Sequence, residues 1–205
     1  RDVTGRTVAF VGDGNNVVVV CGSGNSERRV SVASAQNVLA AWPAAEAWFW
    51  APDGRVFAGA RGEVVAHQRP FETDFLLARP FTWSSVEEAL RVPGDSRVVF
   101  TGCLHGTFVE DGGLQRLLEA CNRRYTGARA DASALAFDKE AAKARARQAG
   151  IDVAPSVGLP RVYAAVLAEV TRMHALHGRV VVKPRADGSS VGLHHVRSAD
   201  DVERA

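Results

Sequence analysis

Lys183, Gly188, Ser189, Ser190 and Gly192 stand within one short stretch, Lys183-Pro184-Arg185-Ala186-Asp187-Gly188-Ser189-Ser190-Val191-Gly192. These residue types can bind a polyanion. A lysine meets a phosphate as a point charge, and glycines let backbone N–H groups come close to phosphate oxygens. The β-branched run Val180–Val182 precedes the stretch and an apolar run from Val191 to Val196 closes it. It therefore reads as strand, flexible loop, strand. It is not a Walker A loop, because no Gly-Lys-Ser/Thr follows.

Three further segments carry groups able to do chemistry. In Ser23-Gly24-Asn25-Ser26-Glu27-Arg28-Arg29-Val30-Ser31, Glu27 could hold a substrate ammonium at the mouth of a sheet. On the residues alone it reads rather as a helix cap that favours the dipole. In Leu104-His105-Gly106-Thr107-Phe108-Val109-Glu110-Asp111-Gly112-Gly113-Leu114-Gln115, a histidine, two carboxylates and three glycines follow a strand and open a helix. Ligands of open α/β sheets bind at such places, although a lone histidine there can be purely structural. Tyr125-Thr126-Gly127 is followed by Ala132-Ser133-Ala134 and Asp138-Lys139. By itself Lys139, on an Arg/Lys-rich helix, reads as a surface charge.

The elements that must position these groups are legible from periodicity. Residues 6–11 and Val17–Val20 read as buried strands, and Val30–Ala41 has helical spacing. Strand, Gly-rich loop and helix open a doubly wound α/β domain. Trp48–Trp50 and Val56-Phe57 flank a Pro52-Asp53-Gly54 turn and predict a hairpin. Residues 60–95 read as irregular, with one short helix near Val86–Leu90. Val98–Phe100 predicts a strand, and helices are expected over 113–121, 131–135 with Asp131 as N-cap, 139–148 and 161–176. Asp200–Ala205 reads as the opening of a further helix, so the chain is expected to be a fragment.

Composition narrows the field. The chain has 205 residues, 46% apolar and 23% charged, with a net charge of +2. No broad basic field argues for nucleic acid, and the pairs Arg28/Arg29, Arg123/Arg124 and Arg145/Arg147 read as solvated faces. Cys21, Cys103 and Cys121 lie in or beside apolar runs, which predicts buried thiols in a reducing cytoplasm. No apolar run approaches the ~20 residues a membrane span needs, and no signal peptide is visible.

In order and spacing, the four segments resemble the D-alanine–D-alanine ligases of the ATP-grasp superfamily. That family shows a Glu before Val-Ser, a Leu-His-Gly…Glu-Asp-Gly-x-Leu-Gln segment, Tyr-Thr-Gly…Ala-Ser-Ala…Asp-Lys, and Val-Lys-Pro…Gly-Ser-Ser-Val-Gly. The match covers residues 17–40 and 97–205. It departs at Cys21-Gly22, where Gly-Gly is frequent and the loop here is longer, and at Val109, where a glycine is usual. Residues 42–95 have no clear counterpart.

The resemblance implies an α/β fold: an N-terminal Rossmann-like, pre-ATP-grasp parallel-sheet domain over 17–136, then the first part of an ATP-grasp α+β domain over 137–205. It implies that ATP phosphorylates the carboxylate of one D-alanine and that the amine of a second attacks the acyl phosphate, for peptidoglycan precursors. Such chemistry rests on positioning and charge neutralisation. Lys139 and Lys183 match the lysines on the ATP phosphates, and Gly188, Ser189 and Ser190 match the loop over the transferring group. Glu27 matches the carboxylate that orients the first ammonium and couples to Ser189. His105 matches the histidine beside the reacting carboxylate. Mg²⁺ is implied with ligands beyond residue 205, so no metal ligand is assigned here, and the 205 residues alone are expected to be inactive. A homodimer through the N-terminal domain is implied as well. Residues 2–17 resemble a short segment of ornithine carbamoyltransferases, which makes 1–16 a remnant strand from which no transferase activity follows. Two other readings stay open: an ATP-grasp amino-acid ligase of secondary metabolism, and a non-catalytic nucleotide-binding module.

Overall fold

Four consecutive valines open β1 (Val17–Gly22), and every residue of this strand is buried. A strand covered on both faces is what such an unbroken β-branched run forms. In the computed structural model, which describes residues 16–204, β1 lies between two parallel neighbours, β2 (Glu46–Trp50) and β4 (Val98–Phe100). β3 (Val56–Phe57) pairs antiparallel with β2 across the expected Pro-Asp-Gly turn, giving the order β3-β2-β1-β4. The strand expected at 6–11 lies outside the described residues.

Alternate residues of β1 feed two apolar layers. Val19 and Cys21 join Val32, Ala35 and Leu39 of α1 (Arg28–Ala41) and Val64 of α2 (Arg61–Ala66). Val18 and Val20 join Val86 and Leu90 of α3 (Val86–Leu90) and Leu114 and Leu118 of α4 (Gly113–Ala120). Helices thus cover both faces of a mostly parallel sheet, the α/β class expected from the sequence. The chain leaves β1 for β2 on one side and later enters β4 on the other. The carboxyl ends of β1 and β4 therefore flank a topological switch point, where open sheets bind ligands.

The chain divides into two units, Arg1–Ala130 and Asp131–Ala205. Helix α5 (Ala130–Phe137) precedes α6 (Lys139–Gln148), which Asp138 caps through hydrogen bonds from the N–H groups of Glu140 and Ala141. Helix α7 (Tyr163–His177) ends at Gly178, and β5 (Val180–Val182) pairs antiparallel with β6 (His194–Val196) before a 3₁₀ turn over Ala199–Arg204. Val170, Val196 and Val202 centre the small core of this unit.

Five details differ from expectation. Helix α2 replaces irregular chain; its six residues hold too few turns for periodicity to register. Asp131 lies inside the first turn of α5 rather than capping it. Strand β6 begins at His194, because Ser189, Ser190 and Gly192 adopt positive φ values that no strand accommodates. Arg123 is buried, not solvated: its guanidinium bonds the Asp95 carbonyl at 2.9 Å and pairs with the Asp95 carboxylate at 3.0 Å. Cys121 is half-buried, unlike the buried Cys21 and Cys103.

Candidate active site

In the first unit, the loops after β1 and β4 meet. Asn25 Oδ1 accepts from the Glu27 N–H at 3.0 Å, while Asn25 Nδ2 donates to the His105 carbonyl. Gly106 is buried at φ +86°, and a Cβ there would lie 2.9 Å from both Asn25 Nδ2 and Glu27 Oε2. Only glycine allows that approach. It brings the Glu27 carboxylate against the backbone beside His105. The His105 ring lies with Nε2 3.3 Å from Ser34 Oγ of α1.

Glu27 occupies the N-cap position of α1, but its side chain makes no capping hydrogen bond. The capping alternative is therefore weakened, while the charge remains at the helix N-terminus. The other acids of the second motif fold the loop. Glu110 accepts from the Gly106 N–H at 2.8 Å, and Asp111 accepts from Phe108 and Gly113 at 3.1 and 2.9 Å. Arg28 grips Asp74 through Nε and Nη2 at 3.1 and 2.8 Å, and Arg29 reaches the same carboxylate at 2.8 Å. Those hydrogen bonds hold Asp74 down at about 2. The chain around Asp74 is thereby tied to the start of α1.

Burial, and next the neighbouring Cys103, push the Cys21 thiol well above its ordinary range, and burial alone pushes Cys103 up to about 12. Neither is a thiolate nucleophile at neutral pH.

In the second unit, the Gly/Ser loop joins β5 to β6. Ser189 and Ser190 take φ +47° and +60°, sparsely populated for non-glycine residues, and Gly192 follows at +62°. A Cβ on Gly192 would stand 2.9 Å from Pro184 Cγ, so the loop closes on its own lysine-proline stem. Strain of this kind gathers at functional loops.

Lys139 is not a free surface charge. Its Nζ donates to the Asp187 carbonyl at 2.6 Å and lies 3.5 Å from the Arg185 carbonyl. Arg185 in turn pairs with Asp138 at 2.6 Å and Glu140 at 3.1 Å. The Arg185 hydrogen bonds keep Asp138 at about 2. Lys139, Lys143, Lys183 and Arg185 line a cleft of about 860 Å³ together with Val182 and Met173. Burial, and then the nearby charges of Lys183 and Arg147, lower the pKa of Lys143. Cations crowded at an apolar wall suit a phosphate chain. Among the described residues no group of three or more His, Cys, Asp or Glu could hold a metal ion.

The structure thus joins Glu27 with His105 in one unit, and Lys139 and Lys183 with the Gly188–Ser190 loop in the other. Sequence reasoning missed Asn25, Ser34, Gly106 as a close-approach glycine, Lys143 and Arg185. Arg185 was readable in principle, standing two residues after Lys183; Asn25 and Ser34 act through long-range contacts that no local pattern encodes.

A family model described as "D-ala D-ala ligase N-terminus" matches residues 16–128. The D-alanine–D-alanine ligase of Parvibaculum lavamentivorans is 42% identical over 115 residues, covering 56% of this chain and 34% of that protein. The ligase of the same name from Pelodictyon phaeoclathratiforme is 33% identical over 159 residues, covering 75% and 39% respectively. The solved D-alanine-D-alanine ligase of Coxiella burnetii superposes with a TM-score of 0.70 at 26% identity, over 92% of this chain and 56% of that one. The chain spans about a third of the length of the curated relatives it matches.

Proposed function

From its membership of the D-Ala-D-Ala ligase family, to which this chain belongs through its N-terminal part, we propose that the native gene product joins two D-alanines at the cost of ATP, for peptidoglycan precursors. The observation that carries the reading is the meeting of the Glu27 and His105 loops, through Asn25 and Gly106, at the carboxyl ends of β1 and β4. We assign residues 17–136 to an amino-acid-binding domain and 137–205 to the first part of an ATP-grasp domain.

In this reading Glu27 holds the ammonium of the first D-alanine, and the N-terminus of α1 adds a favourable dipole for the carboxylate end. His105, oriented by Ser34, faces the reacting carboxylate as a hydrogen-bond donor while negative charge moves off it. Lys139 and Lys183 neutralise the phosphate chain, and the N–H groups of Gly188, Ser189 and Ser190 receive the transferring phosphoryl oxygens. Glu27 belongs to the first unit and Ser189 to the second. ATP supplies the phosphoryl group that turns the carboxylate into an acyl phosphate, with ADP leaving; attack of the second amine on the carbonyl carbon then expels that group as phosphate.

The test is phosphate release by the native gene product. ATP with D-alanine releases phosphate and forms the dipeptide. Release only with other amino acids would move the chain to another ligase chemistry. Nucleotide binding without release would make it a binding module.

A further inference from the structure

We propose that Asn25 is a positioning residue for the first amino acid: it fastens the Glu27 loop to the His105 loop and so sets the spacing between the ammonium-binding carboxylate and the ring beside the reacting carboxylate. The proposal rests on the ligase reading above. Asn25 uses both ends of its amide, Oδ1 accepting from the Glu27 N–H at 3.0 Å and Nδ2 donating to the His105 carbonyl. Its own carbonyl accepts from the Arg28 N–H at 3.4 Å and from Arg28 Nη1 at 3.3 Å. The arginine that grips Asp74 is thus fastened to the same turn. On the facing loop, the built Cβ position of Gly106 lies 2.9 Å from both Asn25 Nδ2 and Glu27 Oε2. The loops therefore approach so closely that a side chain at Gly106 would overlap both Asn25 and Glu27.

The two bonds require an amide. An aspartate keeps the acceptor for Glu27 but sets a carboxylate against a carbonyl, and an alanine keeps neither. His105 is held twice: its backbone by Asn25 and its ring by Ser34. Asn25 touches neither reacting group, so its effect runs through Glu27 and His105.

The experiment compares wild type, Asn25→Ala and Asn25→Asp in the native gene product. For both variants kcat/KM for D-alanine falls about ten-fold while KM for ATP stays within about two-fold. In a Glu27→Gln background, Asn25→Ala costs less than about two-fold more, because both act on one contact. Exchange of the Glu27 amide hydrogen speeds up about ten-fold in Asn25→Ala and stays protected in Asn25→Asp. A parallel loss of D-alanine turnover, ATP affinity and melting temperature would mark a merely structural residue and overturn the proposal. If wild type turns over D-alanine and Asn25→Ala matches it, the positioning role alone is lost. If wild type does not turn over D-alanine, the ligase reading itself falls and this role with it.

Discussion

Glu27 and His105 are single side chains whose value lies in where two loops place them. Replacing Glu27 by Gln removes the charge proposed to face an ammonium. The first D-alanine is then expected to bind about ten-fold more weakly, with ATP affinity unchanged, since hydrogen bonds to charged groups contribute about 1.5–3 kcal/mol. An unchanged D-alanine affinity would return Glu27 to the role of a helix-dipole partner. Gly106 is the backbone counterpart. With φ at +86° and Asn25 and Glu27 within 2.9 Å of its missing Cβ, Gly106→Ala should lower stability by roughly 1–3 kcal/mol. Thermal unfolding measures this, and an unaltered melting temperature would show the loops to be looser than described. Lys183→Ala should reduce ATP affinity or turnover by about ten-fold or more for the same charge-assisted reason. A rate equal to wild type would remove that lysine from the phosphate site. The types and order of these residues were readable in the sequence; their partners were not. Ser34 reaches His105 across 71 positions and Lys139 reaches Asp187 across 48, separations at which no local spacing carries information.

At the scale of elements, the strongest local signals were those that folding had no reason to override. The valine run of β1, the Pro-Asp-Gly hairpin, α6 and α7 all stand where periodicity and turn chemistry set them. The miss at α2 has a physical cause: a six-residue helix with one buried residue, Val64, is held by its contacts with α1 and the sheet, not by its own pattern. The segment that follows α2 is anchored by Asp74 to Arg28 and Arg29 beside the Glu27 loop. That anchor is pH-dependent in a defined direction. The pKa of Asp74 is lowered from its ordinary 3.8 to about 2, so its pairing contributes fully above 3.8 and is lost as pH falls through about 2. The Arg28 Nε resonance should move across that window in wild type and not in Asp74→Asn. A resonance indifferent to acid in wild type would mean the pair does not form.

For the whole molecule, the proposed chemistry is a carboxylate activated by ATP and captured by an amine, with the first amino acid proposed to sit at the switch point of a parallel sheet. The middle of the chain, which the sequence resemblance left without a clear counterpart, falls inside the family match over residues 16–128 and supplies β2, β3, α2 and α3 around that sheet; of these only α2 was not legible in the sequence. The most direct measurement of the central claim follows oxygen. D-Alanine labelled with ¹⁸O in its carboxylate is turned over with ATP by the native gene product, and the released phosphate is weighed by mass spectrometry. Attack of the second amine on an acyl phosphate breaks the bond between the carbonyl carbon and the bridging oxygen, so the account predicts one labelled oxygen in the phosphate for each dipeptide formed. Dipeptide formed with unlabelled phosphate would contradict it.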